Sequence, residues 1–279
     1  MSRLLLRTMV DRAVAFLVVL CVMIAAVPVL VLFLFVLING LPGLFKAGFF
    51  TEPPHPVGVP GGGVVNAIVG TLEIVGLGSL LAVPFGAMVG IFLSEYGRNR
   101  LGDAVRFISD VLTGLPSIAF GIFGYTVLVA TLHHFSAISA SLALAVLMLP
   151  VILRATETAL TLVPPALREA GLALGAPRWR VTLEVIVPAA LGGIVTGALL
   201  AMARAAGETA PLLFTSLGND YLQVNPLQPM GALALTVFRN AQLPYPELQS
   251  QAWAAALLLV ILVAITNILA RIYVRRIQR

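Results

Sequence analysis

Long apolar runs dominate this chain, and their lengths predict its elements. A helix needs about 20 apolar residues to cross a bilayer. Such runs lie near residues 13–38, 64–93, 107–131, 137–154, 188–214 and 252–272, so six spanning helices are predicted. The second run is long and the fourth short, which points to tilt or a break in each. The first run outlasts the roughly 7–15 apolar residues of a signal-peptide core, and no clear cleavage site closes it. It is therefore read as a retained helix.

Composition supports this pattern. The chain is 59% hydrophobic and 10% charged, whereas a soluble domain carries about 25% charged residues. So few charges cannot cover a water-facing surface, and the fold class expected is an all-α integral membrane protein. One cysteine, Cys21, lies in an apolar run and excludes a disulfide framework. His55, His133 and His134 match no metal-ligand spacing. No Walker-type phosphate loop is present, so the chain is not expected to hydrolyse ATP by itself. Its net charge of +5 is set by topology rather than by a basic face, and no nucleic-acid partner is expected.

The arginines orient the helices. Arg3, Arg7 and Arg12 precede the first run, and Arg98, Arg100 and Arg106 follow the second. Arg154, Arg168, Arg178 and Arg180 lie between the fourth and fifth, and Arg271, Arg275, Arg276 and Arg279 close the chain. With six crossings all of these fall on one side, which the positive-inside rule makes cytoplasmic, with both termini there. Lys46 and Arg239 belong to outside loops, which leaves Arg204 as the one basic residue inside the membrane. The outside loop 39–63 is rich in Pro and Gly and is expected to be irregular. In the last outside loop, PMGALALTVFRNA is expected to form a short helix at or within the interface.

The inside stretch 160–190 reads LTLVPPALREAGLALGAPRWRVTLEVIVPAA. Pro164 and Pro165 suit a helix start, where a missing N–H costs nothing. Ala166 to Leu174 is helix-forming, while Gly175 and Pro177 supply a stop and a fresh start. The stretch resembles the EAA loop of bacterial ABC-importer permeases: Glu169, Ala170 and Gly171, three residues, Gly175, nine residues, then Val185-Ile186-Val187-Pro188. Gly171 stands where the family has a second alanine, a change that weakens a helix by about 1 kcal/mol. The resemblance implies a coupling helix docked on an ATP-binding subunit.

Further segments narrow it. Gly61-Gly62-Gly63, Asn66-Ala67-Ile68, Gly70-Thr71-Leu72, Ser94-Glu95-Tyr96, Gly114-Leu115-Pro116-Ser117-Ile118 and Gly207-Glu208-Thr209-Ala210-Pro211-Leu212-Leu213 are similar to phosphate-importer permeases of the PstA type. The similarity covers about residues 61–231. It implies the architecture of a type I ABC importer permease, with residues 1–60 as an N-terminal cytoplasmic segment, first helix and outside loop, and 61–279 as the permease core. The partners implied are a PstC-type second permease, two ATP-binding subunits that hold ATP and Mg, and a periplasmic or lipid-anchored phosphate-binding protein. No cofactor is expected in this chain. The setting implied is the bacterial inner membrane.

Arg204 and Glu208 stand four apart in AMARAAGETAPLL and share a helix face. A charge at a helix centre costs about 2.5–3.5 kcal/mol on insertion scales and usually faces a bundle interior or watery cavity. Pro211 cannot bond the carbonyl of Gly207, so the helix is expected to kink or open over 207–211. One reading is a structural ion pair. The other is a pathway residue: Arg204 offers a guanidinium fork to an anion in transit and Glu208 tempers its grip. The resemblance favours the second, because the family implicates this arginine in phosphate passage. Thr209 and Ser117 are candidate hydroxyl donors, although such groups often bond their own backbone. Glu73, nearer the outside end of the second run, is a gating or solvated candidate. Asp110 is expected to pair with a nearby arginine such as Arg106, and the glycines at 86, 90, 121 and 124 to serve close helix packing. Trp179 and Tyr273 sit where interfacial aromatics belong.

Energetics favour a pump. Carrying one negative charge inward against 100 mV costs about 2.3 kcal/mol. A chain with a coupling loop and no nucleotide motif must borrow its power. The rivals are a permease for another oxyanion (phosphonate, sulfate or molybdate) and an ion-coupled secondary carrier.

Overall fold

The structure, a computed structural model, describes residues 2–59 and 61–277, without the side chains of 2–6, 9 and 273–277. The side chains of Arg3, Tyr273, Arg275, Arg276 and Arg279, which the sequence reading used as topological or interfacial markers, therefore lie outside the described residues. Among the described residues the regular elements are all helices. They are α1 (Ser2–Leu44), α2 (Val65–Tyr96), α3 (Arg100–Gly114), α4 (Ser117–Leu132), α5 (Ala137–Thr161), α6 (Pro165–Ala173), α7 (Arg178–Gly207), α8 (Ala210–Thr215), α9 (Leu233–Ala241) and α10 (Pro246–Ile277). Wide π turns interrupt α4 at Tyr125–Val129 and α7 at Thr182–Ile186.

Five of these, α1, α2, α5, α7 and α10, are long and apolar enough to cross a membrane singly. The pair α3–α4 brings the total to six when counted as one span. This corrects the third expected span. Residues 107–131 are not one straight helix, because α3 and α4 meet at 103°. Pro116 drives Leu115 out of the helical region to φ −71°, ψ 141°. The preceding turns, RLGDAVRFISDVLTG, carry charges on one face and apolar side chains on the other, so α3 has no need to continue α4's line. Asn99 caps its start by accepting from the Gly102 N–H at 2.9 Å.

At the centre stands α5, whose Leu144, Met148, Ile152 and Leu160 are fully buried. Lipid tails supply little hydrophobic drive between helices, so close contact of small residues must hold the bundle. That is how α2 and α7 meet α5. A Cβ on Gly86 would sit 2.9 Å from that of Ile152, one on Gly90 2.6 Å from that of Thr156, and one on Gly193 2.6 Å from that of Ala159. Gly121 and Gly124 serve α4 similarly, against Pro211 and against Ala143 with Thr215. The fourth span also runs further than its apolar run of 137–154: α5 continues to Thr161, past Arg154, because acidic partners meet the charge there.

The outermost helix is α1, with the apolar side chains of its middle exposed. It joins α10 near its far end, where the Phe35 and Trp253 rings meet edge-on at 5.2 Å and Gly43 rests on Ala254. The expected short helix in the last loop is α9, which buries Leu233, Ala234 and Leu235. Its first turn is tied to α2, as the Leu233 N–H donates to Thr71 Oγ1 at 2.9 Å.

Candidate functional site

Helix α7 stops at Gly207. Glu208 is extended at φ −75°, ψ 129°, and the chain turns back into α8 at Ala210. Pro211 stands in the first turn of α8, where no intrahelical N–H bond is lost. The break is seated on α4, for a Cβ on Gly121 would lie 2.8 Å from the Pro211 Cα. On the α7 side the surroundings are open, and a Cβ on Gly207 would meet nothing within 4 Å.

At this break Arg204 Nε donates to Glu208 Oε1 at 3.4 Å, a long contact and the one hydrogen bond that the guanidinium makes among the described residues. Its side chain is 43% exposed and that of Glu208 16%. A guanidinium has five N–H donors, so most of this fork is uncommitted. Thr209 and Ser117 differ from most hydroxyls of the spans, though Ser94, Ser109 and Thr156 also lack a partner. Thr71, Ser79, Thr113, Thr126, Thr196 and Thr215 each donate to a carbonyl one turn back. The Thr209 and Ser117 hydroxyls have no hydrogen-bond partner among the described residues. Thr209 lies in the break itself, and Ser117 opens α4 one turn before Gly121. The fold thus gathers Arg204, Gly207, Glu208, Thr209 and Pro211 at one break, of which Pro211 meets α4 at Gly121. Glu73 stays apart on α2, half-buried, and no ion pair or hydrogen bond joins it to Arg204 or Glu208.

The expected loop hairpin forms from α6 and the start of α7. Pro164 precedes α6, Gly175 takes φ +80° between the two helices, and Pro177 leads into α7. Positive φ is what glycine allows at little cost. Gly171, the departure from the EAA pattern, has a packing reason: a Cβ there would sit 2.9 Å from both γ-methyls of Val181. Glu169 and Ala170 are exposed on α6, and Leu174 is 88% exposed at its end.

Sequence reasoning missed what anchors this hairpin. Arg168 forks onto Glu95 at the end of α2, with Nη2–Oε1 at 2.8 Å and Nε–Oε1 at 3.1 Å. It also donates to the carbonyls of Val163 at 2.9 Å and Leu160 at 2.8 Å. A second cluster ties α3 to α5. Glu157 accepts from Arg106 at 2.7 Å and from Arg154 at 3.0 Å, and Arg154 reaches Asp110 at 2.5 Å. Asp110 therefore pairs with Arg154 rather than with Arg106, because the turn at Pro116 lays α3 beside the end of α5. The i, i+3 spacing of Arg154 and Glu157 was a readable signal, whereas their partners on α3 were not.

Five helices long enough to span, a bent pair, a broken helix bearing an arginine and a hairpin between two spans together define a helical membrane permease. The family described as "Binding-protein-dependent transport system inner membrane component" matches residues 82–279. The chain is 45% identical over 235 residues to the phosphate transport system permease protein PstA of Yersinia pestis, covering 84% of this chain and 79% of that protein. It is 41% identical over 242 residues to PstA of Haemophilus influenzae, covering 86% and 85%. It also shares 39% identity over 256 residues with PstA 1 of Mycobacterium tuberculosis. A chain of the MetNI methionine ABC transporter, in an inward-facing conformation, shares the fold with a TM-score of 0.65 at 22% identity. That likeness covers 77% of this chain and 96% of the other. The chain belongs to the binding-protein-dependent transport-system inner-membrane components, in their PstA branch.

Proposed function

We propose that this chain is the membrane-spanning permease subunit of an ATP-driven inorganic phosphate importer. The names of its relatives support the substrate. The observation that carries the mechanism is the broken helix, where an under-committed Arg204 faces open space beside Gly207. A guanidinium presents paired donors to phosphate oxygens. Glu208 keeps one donor occupied and so limits how tightly an anion is held. Thr209 and Ser117 supply free hydroxyls nearby, while Gly207 and Pro211 let the break flex. Glu73 belongs to the gating end of α2.

The remaining parts follow from this reading. Glu169, Ala170, Gly171 and Gly175 form the hairpin that meets an ATP-binding subunit, so movements driven by ATP reach α2 through Arg168 and Glu95 and α7 directly. Two such subunits hold ATP and Mg, a PstC-type permease supplies the other wall of the path, and a periplasmic or lipid-anchored binding protein delivers phosphate. The protein sits in the bacterial inner membrane with both termini cytoplasmic. Residues 1–60 form an accessory segment around a permease core of 61–279, which fits the peripheral position of α1. Radiolabelled phosphate uptake by the reconstituted complex tests the reading. ATP-dependent accumulation that sulfate and phosphonate fail to compete is expected, and accumulation of sulfate instead would overturn it. In the same assay Glu169→Lys is expected to leave ATP hydrolysis running with uptake lost. Uptake at the normal rate would remove the docking role.

A further inference from the structure

A cavity of about 610 Å³ opens between the end of α2 and the hairpin formed by α6 and the start of α7. Its walls carry Ser94, Glu95, Arg98, Arg168, Arg178 and Leu172. Three arginines thus face a single carboxylate, and that carboxylate is already held by Arg168 at 2.8 Å. Arg180, two residues from Arg178, pairs with Glu184 at 3.6 Å and stacks on Trp179. The guanidinium groups of Arg98 and Arg178 have no ion-pair or hydrogen-bond partner among the described residues. The Ser94 hydroxyl on the same wall is buried and also lacks a partner.

Arg98 and Arg178 are exposed and bring like charges to one cavity, where they repel and keep their strongest hydrogen bonds available to an anion. A dianionic or monoanionic phosphate group answers both needs: it accepts from two guanidinium forks at once and takes a bond from a serine hydroxyl. We infer that this cavity is a phosphate-group binding site bridging Arg98, at the end of α2, and Arg178, at the start of α7, with Ser94 as a third contact. The occupant is either free inorganic phosphate or the headgroup of an anionic phospholipid. It stitches the hairpin to α2 beside the Arg168–Glu95 pair, so that anion occupancy stiffens the segment. The site is separate from the Arg204 break, and the inference stands whether or not phosphate is the cargo.

Hydrogen exchange of residues 165–182 in the assembled transporter tests it, in nanodiscs of phosphatidylcholine with and without inorganic phosphate, and in nanodiscs containing phosphatidylglycerol. A ligand at ten times its Kd slows exchange through opening of its site by about tenfold. Slowing by phosphate in neutral nanodiscs identifies free phosphate, and slowing by phosphatidylglycerol alone identifies the lipid headgroup. Either effect must vanish in the Arg98→Gln/Arg178→Gln variant, be largely retained in Arg98→Lys/Arg178→Lys, and persist in Arg180→Gln and Arg204→Ala. No slowing in either membrane overturns the site. So does slowing that survives Arg98→Gln/Arg178→Gln but is lost in Arg204→Ala, since the hairpin would then be reporting the path.

Discussion

Two arginine–glutamate pairs in this molecule, Arg168 with Glu95 and Arg204 with Glu208, differ in what they leave free. Arg168 reaches Glu95 through two nitrogens and spends two further donors on the Val163 and Leu160 carbonyls. Arg204 touches Glu208 once, at 3.4 Å, beside a break in its helix. The first pair closes a joint between the hairpin and α2. The second holds a cation in place without satisfying it. A half-buried charge that its neighbours satisfy is structural, and one they leave open is available to a ligand.

Removing Arg168 should therefore have the largest structural effect. Arg168→Ala strands Glu95, whose side chain is 13% exposed, and loss of one partner of such a pair costs about 3–5 kcal/mol. Thermal unfolding of the assembled complex should shift down clearly; an unchanged midpoint would mean the joint is not closed by this pair. Glu157→Gln comes next. It removes the charge and one of the two acceptor oxygens that Arg106 and Arg154 use, and should cost about 2 kcal/mol, the scale of a hydrogen bond to a charged group. Protease susceptibility of α3 reads it, and protection equal to the parent would contradict the anchoring.

Smaller still is Gly171→Ala, which restores the family's alanine. Helix propensity gains about 1 kcal/mol, but the new methyl meets both Val181 γ-methyls at 2.9 Å, and overpacking costs about 1–3 kcal/mol. The net change is expected to be a slight loss, reversed by Val181→Ala in the same chain. A stabilised Gly171→Ala protein would show that α6 can shift freely. Arg204→Ala also leaves a carboxylate alone, Glu208 at 16% exposed, but it removes one contact of 3.4 Å instead of a two-nitrogen fork and two carbonyl bonds, so its stability loss is expected to be smaller than that of Arg168→Ala.

Run lengths and punctuation made much of this legible. The hairpin with its turn at Gly175 and the break before Pro211 are local events, set by residues that cannot do otherwise. The 103° turn between α3 and α4 was hidden because apolar residues continue through Leu115 and Pro116 on both sides. The continuation of α5 past Arg154 was hidden for a different reason. A charge ends an apolar run on paper, while in the fold Asp110 and Glu157 meet it from α3 and from the next turn. Glu95 and Arg168, 73 positions apart, gave no local sign that they would meet.

The most direct test of the contrast is ATP-driven phosphate uptake by the complex carrying Arg204→Ala, with assembly checked in the same preparation. If the free fork of Arg204 handles the anion, the loss of a charge-assisted contact worth about 3 kcal/mol should lower uptake about a hundredfold while the complex still assembles and loses less thermal stability than with Arg168→Ala. Uptake at the parent's rate from a fully assembled Arg204→Ala complex would contradict the account.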